Sequence, residues 1–315
     1  MEIKSFSQLI TQIQNGTPLT AAIVSAADPH TIEAALQAYK EKIAIPIFIG
    51  EGKKIEQILN SLGENPNSFE IINECNILRT PYIANSLVNN GRASLIVKGF
   101  IDTSELLHGI LDKETGLRTG RSMSHVAFLE VPGYHKLIGI TDGGIVVAPD
   151  FKAKKQILLN AVDLFKRLGY ESPKVAAVTA ADKANKSMPD TIDAFELQEL
   201  NRKGEISDCS VEGPVSYDIV VSPESAKLKG FPGKHSGDYD VLLLPNIAAG
   251  NILSKSLIYN AGAKMGGIVT GAKVPLVLNS RSSSPEEKFY ATVLAAACSK
   301  LSSTSKLLIL FFEQG

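Results

Sequence analysis

The chain has 315 residues, of which 44% are hydrophobic, and its 32 lysines and arginines nearly balance its 33 aspartates and glutamates. This length allows two domains or one large one, and the near-zero net charge gives no global attraction to nucleic acid or to a membrane surface. No run approaches the ~18 apolar residues of a membrane span, and the acidic residue at position 2 makes the N-terminus unlike a secretory signal. Cys75, Cys209 and Cys298 are far apart in the sequence, which predicts reduced thiols in a cytoplasmic protein and neither a disulfide framework nor a zinc site.

The N-terminal part of the chain alternates between strand-like and helix-like patterns. Short apolar runs predict strands at residues 20–24, 43–49, 69–73 and 93–97, and amphipathic patterns predict helices at 5–15, 32–42, 53–62 and 81–90. An alternation at roughly 20–30 residue spacing is typical of a parallel sheet with helices on both faces. The predicted fold class is therefore α/β.

The middle of the chain begins with a polar, glycine-containing segment, residues 112–125, which carries Arg118 and Arg121. Two strands follow around a Pro132-Gly133 turn, and a long helix then ends at Gly169. The change of pattern near residue 150 predicts a domain boundary. Beyond it the sequence predicts strands at 174–179, around 209 and at 241–244, helices at 191–203, 221–228 and 254–262, and a polar loop at 245–251. The apolar residues 307–312 fit either a terminal strand or an exposed tail.

The stretch 266–287 is the most informative part of the chain. A fully apolar strand at 275–278 ends in Asn279, Ser280 and Arg281, and Ser284 with Glu287 three residues later forms a capping-box pattern that opens a helix. A serine–arginine pair therefore follows the carboxyl end of a buried strand, where ligands bind in open α/β sheets. An arginine beside a helix N-terminus also indicates an anion site.

Polar residues follow other predicted strands as well, and the set is rich in lysine and arginine for a net-neutral chain. This pattern predicts an anionic, phosphate-bearing ligand. The prediction depends on the whole set, because any one of these residues alone is better explained as a surface charge or a loop cap. The set comprises Lys98, Thr103, Arg118, Arg121, Ser124, His125, Thr141, Asp142, Asn246, Asn251, Lys273, Ser280, Arg281 and Glu287.

Several other chemistries do not fit the sequence. Neither Ser124, which precedes His125, nor Ser280 lies in the G-x-S-x-G motif of a serine nucleophile. Asp142 has no second carboxylate or histidine at a spacing suited to a metal, so a structural role is predicted for it and no metal site is expected. There is no strand–GxGxxG–helix unit, which argues against nicotinamide chemistry.

Three runs, at 211–222, 240–259 and 266–288, together resemble the phosphate acetyl/butyryltransferase family, as do residues 98–111 and 141–162. The details are closer to the butyryltransferase branch. The resemblance implies two three-layer α/β domains with a cleft between them, like those of isocitrate and isopropylmalate dehydrogenases. It places residues 1–147 with 279–315 in the first domain and residues 148–278 in the second.

The resemblance implies reversible transfer of a short-chain acyl group, butyryl or branched C4–C5, between coenzyme A and inorganic phosphate. The product is an acyl phosphate, formed by direct transfer in a ternary complex. Coenzyme A is then a substrate, no cofactor is permanently bound, and a homodimer or larger homo-oligomer without nucleic-acid or membrane partners is expected. The alternatives are the same reaction on acetyl-CoA and, in another class, a non-catalytic protein that binds coenzyme A or acyl phosphate. A metal-dependent decarboxylating dehydrogenase would require paired aspartates, and no convincing pair is present.

The resemblance also implies roles for individual residues. Arg281 would hold the phosphate, Ser280 would donate to the thioester carbonyl, and Arg121, preferred over Arg118, would be a second clamp. Glu287 occupies the position of the base proposed in the acetyl branch, but it equally fits the capping box, and a carboxylate engaged in a cap is poorly placed to abstract a proton. The remaining predicted substrate-binding residues are Lys98, Thr103, Ser124, His125, Asn246, Asn251 and Lys273.

Overall fold

A computed structural model describes residues 2–280 and 283–312, with side chains described no further than residue 299. Its strands are, in chain order, β1 (Leu19–Val24), β2 (Ala44–Gly50), β3 (Glu70–Asn73), β4 (Leu95–Lys98), β5 (Ser124–Glu130), β6 (Ile138–Thr141), β7 (Lys174–Val178), β8 (Ser210–Val215), β9 (Val241–Leu243), β10 (Lys264–Thr270) and β11 (Leu276–Val277). Its α-helices are α1 (Phe6–Gln14), α2 (Pro29–Lys40), α3 (Gly52–Ser61), α4 (Thr80–Asn89), α5 (Thr103–Ile110), α6 (Phe151–Arg167), α7 (Pro189–Arg202), α8 (Tyr217–Val221), α9 (Pro223–Lys229), α10 (Ile247–Ala261) and α11 (Pro285–Phe312). The predicted α/β class is confirmed.

The chain forms two compact units. Unit 1 comprises Met1–Ser5 and Ser122–Met265, and unit 2 comprises Phe6–Arg121 and Gly266–Gly315. The chain passes from one unit to the other at 5/6, 121/122 and 265/266, whereas the sequence predicts domain boundaries at 147/148 and 278/279. The difference arises because β5 and β6 form an antiparallel pair that joins β9 within unit 1, while the turn after β10 leads directly into β11, which pairs with β4 of unit 2.

The strands of unit 2 follow the order β3-β2-β1-β4-β11-β10. The first five are parallel to one another, and β10 is antiparallel to β11. Ile23 of β1 lies opposite Phe48 of β2 and Val97 of β4, and all three side chains are buried. Central strands of a parallel sheet are covered by helices on both faces and therefore consist of continuous apolar runs. The sequence predicts them well for this reason.

Parallel pairing brings the carboxyl ends of β1, β2, β3, β4 and β11 to one edge of the unit 2 sheet. Val24 pairs with Lys98, Gly50 pairs with Asn73, and Val277 pairs with Val97 one residue before the end of β4. The loops that leave these strands therefore emerge side by side. We call this the carboxyl edge of unit 2.

Helix ends in unit 2 are fixed by local contacts. The Asp28 side chain accepts a hydrogen bond from the Thr31 amide at 2.9 Å, and Pro29 occupies the first helical position of α2, which together define a helix start. The rings of Phe6 in α1 and Tyr290 in α11 stack with centroids 4.4 Å apart. Gly266 of β10 allows the chain to pass close to the backbone at Tyr290, which a side chain at position 266 would overlap.

The strands of unit 1 follow the order β5-β6-β9-β7-β8, in which only the β5–β6 pair is antiparallel. Its core includes Leu129, Ile140, Leu242 and Tyr239, all buried. The Tyr239 hydroxyl donates to the carboxylate of Glu212, which satisfies its polar end inside the core.

Three elements differ from the sequence prediction. Residues 103–110 form α5, and residues 247–251 form the first turns of α10, although neither is predicted to be helical. The C-terminal apolar residues continue α11 to Phe312 and form neither a strand nor a separate tail. Within the part of the chain that is described, none of these helices has the length and hydropathy of a membrane span.

Candidate functional site

Lys98, Ser280 and Thr103 are brought together at the carboxyl edge of unit 2. Lys98 is the last residue of β4 and is only 4% exposed. Ser280 is exposed and comes three residues after the end of β11, the strand that pairs with β4. Thr103 begins α5, which follows β4. Neighbouring strands lie ~4.8 Å apart, so a cation, a hydroxyl and a helix N-terminus share one small region.

The segment after Ser280 turns directly into a helix. The Ser283 amide donates to the carbonyl oxygen of Ser280 at 3.1 Å, and α11 begins at Pro285. The amides of a first helical turn carry partial positive charge and favour anions. Arg281, the arginine of the predicted pair, lies outside the described residues.

Glu287 lies in the first turn of α11 and is half-buried. Its main-chain amide donates to the Ser284 hydroxyl oxygen at 3.1 Å, so the predicted cap by Ser284 is present in the structure. This contact uses the Glu287 backbone and not its carboxylate. The cap therefore does not itself occupy the carboxylate that a base role would need.

Lys288 is a buried cation next to this turn that the sequence does not reveal. Its side chain is 3% exposed, and its ammonium nitrogen lies 3.2 Å from the Thr31 hydroxyl and 3.7 Å from a carboxylate oxygen of Asp28. Burial lowers the pKa of Lys288, and the negative charges of Asp28 and Glu287 oppose this shift without cancelling it. A lysine in a Glu-Glu-Lys run on a helix ordinarily indicates a solvated face, so no local signal could have found it.

Arg118 and Lys273 lie at the opposite edge of the unit 2 sheet from Ser280. Arg118 forms an isolated bridge with Ala272 and donates from Nε to the carbonyl of Leu111. The Lys273 ammonium donates to the side chain of Asn89 at the end of α4, at 2.8 Å. Both residues follow or pair with the segment after β10. Because β10 is antiparallel to β11, its carboxyl end lies beside the amino end of β11, which runs parallel to β4. The structure therefore does not bring these two cations to Ser280, with which the sequence groups them.

Arg121 lies three residues after Arg118, and its main chain is held by a local hydrogen bond. Its amide donates to the hydroxyl of Thr119 at 3.3 Å, and that hydroxyl donates to the carbonyl of Gly271. Arg121 is exposed and is the last residue of unit 2 before the chain enters unit 1. Its main chain is therefore anchored beside Arg118.

In unit 1, Asp142 is a buried anchor at the end of β6. Its carboxylate accepts hydrogen bonds from the amides of Gly144 at 2.7 Å, Ile145 at 2.8 Å and Val146 at 3.3 Å, and from that of His125 at 3.0 Å. These four amides fill acceptor positions of the carboxylate, which is buried. The contacts fit the structural role predicted for Asp142, and they fix the loop that follows β6.

His125 and Ser124 begin β5 beside this loop. Burial lowers the pKa of His125, an effect that the nearby charge of Asp142 opposes, so the ring is neutral at pH 7. Its Nδ1 atom is buried and has no hydrogen-bond partner among the described residues. Ser124 is fully buried, and its hydroxyl oxygen accepts from the Asn160 side chain at 2.9 Å. Ser124, which the sequence predicts to bind substrate, thus makes a buried contact within unit 1.

The two asparagines predicted to bind substrate lie at the start of α10, where the sequence predicts a loop. Asn246 immediately precedes the helix, and Asn251 lies within it. The Asn246 side chain caps the helix by accepting from the Ala249 amide at 3.0 Å. Asn251 is exposed, and its side-chain amide donates to the carbonyl of Gly143 at 3.3 Å. The side chain of Asn246 therefore stabilises the start of α10, and that of Asn251 contacts the loop after β6 that Asp142 fixes.

The chain consists of two α/β units, and in one of them a serine, a buried lysine and helix N-termini lie at the carboxyl edge of a parallel sheet. This arrangement defines the class as α/β proteins with polar residues at the strand ends where such folds bind ligands. The model of the phosphate acetyl/butaryl transferase family matches residues 76–296. The chain belongs to this family.

Individual relatives cover almost the whole chain. It is 38% identical to the phosphate butyryltransferase of Clostridium acetobutylicum over 294 residues, which is 93% of this chain and 98% of the relative. It is 36% identical to the phosphate acetyltransferase of Thermotoga maritima, over 92% of this chain and 99% of the relative. A crystal structure of a branched-chain phosphotransacylase from Enterococcus faecalis V583 superposes with a TM-score of 0.78 at 32% identity, covering 89% of this chain and 99% of that one.

Proposed function

We propose that this chain is an acyltransferase that moves a short acyl group reversibly between coenzyme A and inorganic phosphate. The observation that carries the proposal is the position of Ser280 at the carboxyl edge of unit 2, beside Lys98 and just before the first turn of α11, in a chain of the phosphate acetyl/butaryl transferase family. Coenzyme A is a substrate in this reaction and not a resident cofactor.

In the forward direction a phosphate oxygen attacks the carbonyl carbon of the acyl thioester. A carbon–oxygen bond forms, the carbon–sulfur bond breaks, and the coenzyme A thiolate leaves and takes up a proton. The reverse reaction begins with attack of the coenzyme A thiol on the acyl phosphate. Both directions need two anions held together and an oxyanion stabilised as it develops. No covalent acyl-enzyme is required.

The proposed roles follow from these needs. Ser280 donates its hydroxyl hydrogen to the carbonyl oxygen as negative charge builds on it. Arg281 binds phosphate through the fork of its guanidinium group. Lys98 and the N-terminus of α5 at Thr103 add positive potential at the same edge. Glu287 remains the proposed base for the thiol, because its carboxylate is not used by the Ser284 cap.

The acyl chain proposed for the substrate is butyryl or a branched C4–C5 chain, with acetyl as the alternative. Similar relatives carry both names, with 38% identity to a phosphate butyryltransferase and 36% to a phosphate acetyltransferase, so the discrimination requires kinetics. Each methylene that fits a pocket lowers the activation free energy measured by kcat/KM by ~1–3 kcal/mol. A ratio of kcat/KM for butyryl-CoA over acetyl-CoA above tenfold supports the first assignment.

The test is a phosphate-dependent release of coenzyme A from butyryl-CoA, followed with a thiol reagent. We expect release only when both butyryl-CoA and phosphate are present, together with formation of butyryl phosphate. Acyl-CoA substrates from C2 to C5, including branched ones, are compared under the same conditions. The proposal is rejected if none of them releases thiol in the presence of phosphate.

We also propose that the protein acts in the cytoplasm as a homodimer. Ile252 and Tyr259 of α10 are 68% and 75% exposed, and their seven-residue spacing puts them on one face of the helix. Exposed apolar residues grouped on one face are typical of subunit contacts. Light scattering that gives the 33.7 kDa mass of one chain would contradict the dimer, and Tyr259→Glu is expected to shift the mass toward that value.

A further inference from the structure

A cavity of about 570 Å³ opens along β8, the strand at the outer edge of the unit 1 sheet. One wall is formed by α7 and the opposite wall by residues 231–235. We call it the β8 cavity. It lies wholly within unit 1, and none of the residues with a role in the proposed reaction lines it. Its volume falls in the range of small-molecule sites, ~300–1,000 Å³.

The wall formed by residues 231–235 is held in place by contacts with β8. The Lys234 amide donates to a carboxylate oxygen of Glu212 at 2.7 Å, and Nε2 of His235 lies 3.0 Å from the hydroxyl oxygen of Ser210. At Gly233 the chain passes so close to Glu212 that a side chain would overlap its carboxylate. The cavity is therefore preformed, and a ligand need not order this wall on binding.

The edge of β8 presents a hydrogen-bond donor beside an acceptor. The Gly213 amide donates to Oε1 of Gln198 at 3.2 Å, which leaves the Gln198 NH2 group without a partner among the described residues. The Val211 amide points outward to Asn201 at 3.0 Å, and its carbonyl points to the same side because the two groups of one strand residue share a direction. Gln198 and Val211 both line the cavity. Such a pair suits the edge of a nucleotide base, which carries both donors and acceptors.

Aromatic side chains line both walls. Phe195 belongs to α7, and Phe231 belongs to the opposite wall. Phe195 is 41% exposed, which is high for a large apolar ring. Exposed aromatic rings offer a nucleotide base a surface for stacking. A small inorganic anion would use neither ring, so these walls favour a ligand that contains a ring system.

Three cations from three different segments also line the cavity. Lys183 follows β7, Arg202 is the last residue of α7, and Lys234 belongs to residues 231–235. Within the part of the chain that the structure describes, Lys183 and Lys234 have no ion-pair partner. Arg202 contacts Glu199 of its own helix at 2.8 Å in an exposed pair, which is weak enough to exchange for a ligand. These cations provide contacts for a phosphate group.

The acidic residues that line the cavity are Asp182 and Glu212. Glu212 is buried, and its two carboxylate oxygens accept from the Lys234 amide and the Tyr239 hydroxyl. It therefore holds the fold together. Even with both acids counted, the cations outnumber them by three to two, so the cavity favours an anionic ligand over a cationic one.

We propose that the β8 cavity binds a nucleoside monophosphate. The base contacts Phe195 and Phe231 and places its edge on Gln198 and Val211, and the phosphate contacts the three cations. This inference goes beyond the proposed function and does not depend on it, because the site lies in unit 1 and its tests measure binding without turnover.

The chain contains no tryptophan, so Phe195→Trp places a single tryptophan on the wall of the cavity. Its fluorescence is titrated with AMP, adenosine and inorganic phosphate. We expect AMP to change the emission saturably and adenosine to bind at least about tenfold more weakly, because it lacks the charged contacts. Leu228→Trp is the matched control, since Leu228 is 81% exposed on α9 and does not line the cavity. AMP should leave its emission unchanged.

Three results of these titrations would overturn the inference. The first is no saturable change up to about 5 mM AMP, which would fill most sites even at a Kd of ~1 mM. The second is an equal change with inorganic phosphate or an equal affinity for adenosine, since the ligand would then need only one of its two parts. The third is the same response to AMP in Leu228→Trp.

Calorimetry on the chain that keeps Phe195 provides a second measurement, which decides even if the tryptophan variant does not fold. Arg202→Ala should raise the Kd for AMP about tenfold, the loss expected for one charge-assisted hydrogen bond. Arg167→Ala is the control, because Arg167 is likewise the last residue of its helix and pairs with an acid of that helix, Asp163. It should leave the Kd unchanged. Binding of AMP that Arg202→Ala does not weaken would place the nucleotide elsewhere and reject the site.

Discussion

The ammonium nitrogen of Lys288 lies 3.2 Å from the hydroxyl of Thr31, so a buried cation links the first turn of α11 to the first turn of α2. Asp28, the nearest carboxylate at 3.7 Å, is itself partly exposed and caps α2 through the Thr31 amide. The positive charge of Lys288 is therefore buried more completely than the negative charge that faces it. The cost of burying Lys288 therefore exceeds the attraction of Asp28, and this difference predicts how replacement of Lys288 changes the free energy of unfolding.

We expect Lys288→Met to leave the free energy of unfolding at pH 7 unchanged or to raise it by about 1–4 kcal/mol, since a buried charge is replaced by an apolar side chain. The pKa of Lys288 is lowered from 10.5 in the folded protein. Between the folded pKa and 10.5 the unfolded chain therefore binds more protons, and this residue makes stability rise with pH. Urea titrations at several pH values should show a smaller rise in the variant.

Lys40→Met is the control for this change, because Lys40 pairs with Glu64 at the surface with 64% of its side chain exposed. It should alter stability by no more than about 0.5 kcal/mol. A loss of 3 kcal/mol or more in Lys288→Met, about the cost of breaking a buried pair, would mean that the attraction of Asp28 outweighs the cost of burial.

Arg281→Lys should lower kcat/KM for phosphate by about 100-fold or more, because a point charge cannot replace the two-pronged guanidinium contact. Thermal stability should hardly change. Arg92→Lys is the matched control, since Arg92 is exposed and pairs with Glu70 at the amino end of β3, away from the carboxyl edge. Wild-type rates in Arg281→Lys would remove this residue from the proposed mechanism.

Ser280→Ala should reduce kcat by about 10²–10³-fold, the loss typical of one oxyanion donor, with KM for phosphate largely retained. Ser284→Ala, four residues later, should behave differently because that hydroxyl caps α11. We expect it to cost about 1 kcal/mol of stability. Steady-state kinetics and thermal melts of the two variants separate the chemical role from the structural one, and equal kinetic losses would argue against the assignment of Ser280.

In unit 1, Lys136→Met should destabilise the fold by about 3–5 kcal/mol, because it removes the buried partner of Asp240. The Lys136 side chain is fully buried and pairs with Asp238 at 2.7 Å and Asp240 at 2.6 Å. Lys166→Met, which breaks the exposed pair with Asp208, is the control and should change stability by at most about 1 kcal/mol.

The same network predicts a response to acid. Burial alone would raise the pKa of Asp238, but the hydrogen bonds and charges of Lys136 and Lys174 outweigh it and hold the pKa far below 3.8. Its contribution to stability is therefore complete above pH 3.8 and is lost as the pH falls below that value. The loss of stability on acidification should be shallower in Lys136→Met, and an unchanged slope would contradict this account.

The central strands and the Ser280 edge could be predicted from the sequence because they depend on local patterns. Ile23, Phe48 and Val97 belong to short apolar runs, and runs that alternate with helices indicate parallel strands whose carboxyl ends coincide. The position of Ser280 after such a run follows directly. The Ser284 cap is equally local, since it depends on residues within one turn of helix.

The positions of other site residues depend on strand pairing and helix packing, which no local sequence pattern specifies. Arg118 and Lys273 follow the sequence rule for strand ends, but the antiparallel direction of β10 moves them to the other edge. The sequence predicts a loop around Asn246 and Asn251, whereas Gly250 allows α10 to begin there and to pack closely against the backbone at Asp142. The burial of Lys288 results from tertiary packing against α2, which is distant in sequence.

Close packing at Gly99 has a consequence for mutagenesis of the loop that follows β4. A side chain at this position would overlap the carbonyl oxygen of Ser25, whereas the neighbouring Phe100 is exposed. Mutant libraries of this loop should therefore keep residue 99 constant and randomise residue 100. Two adjacent positions would then differ sharply in the substitutions that they accept. Close backbone packing excludes a side chain at position 99, whereas exposure at position 100 allows many.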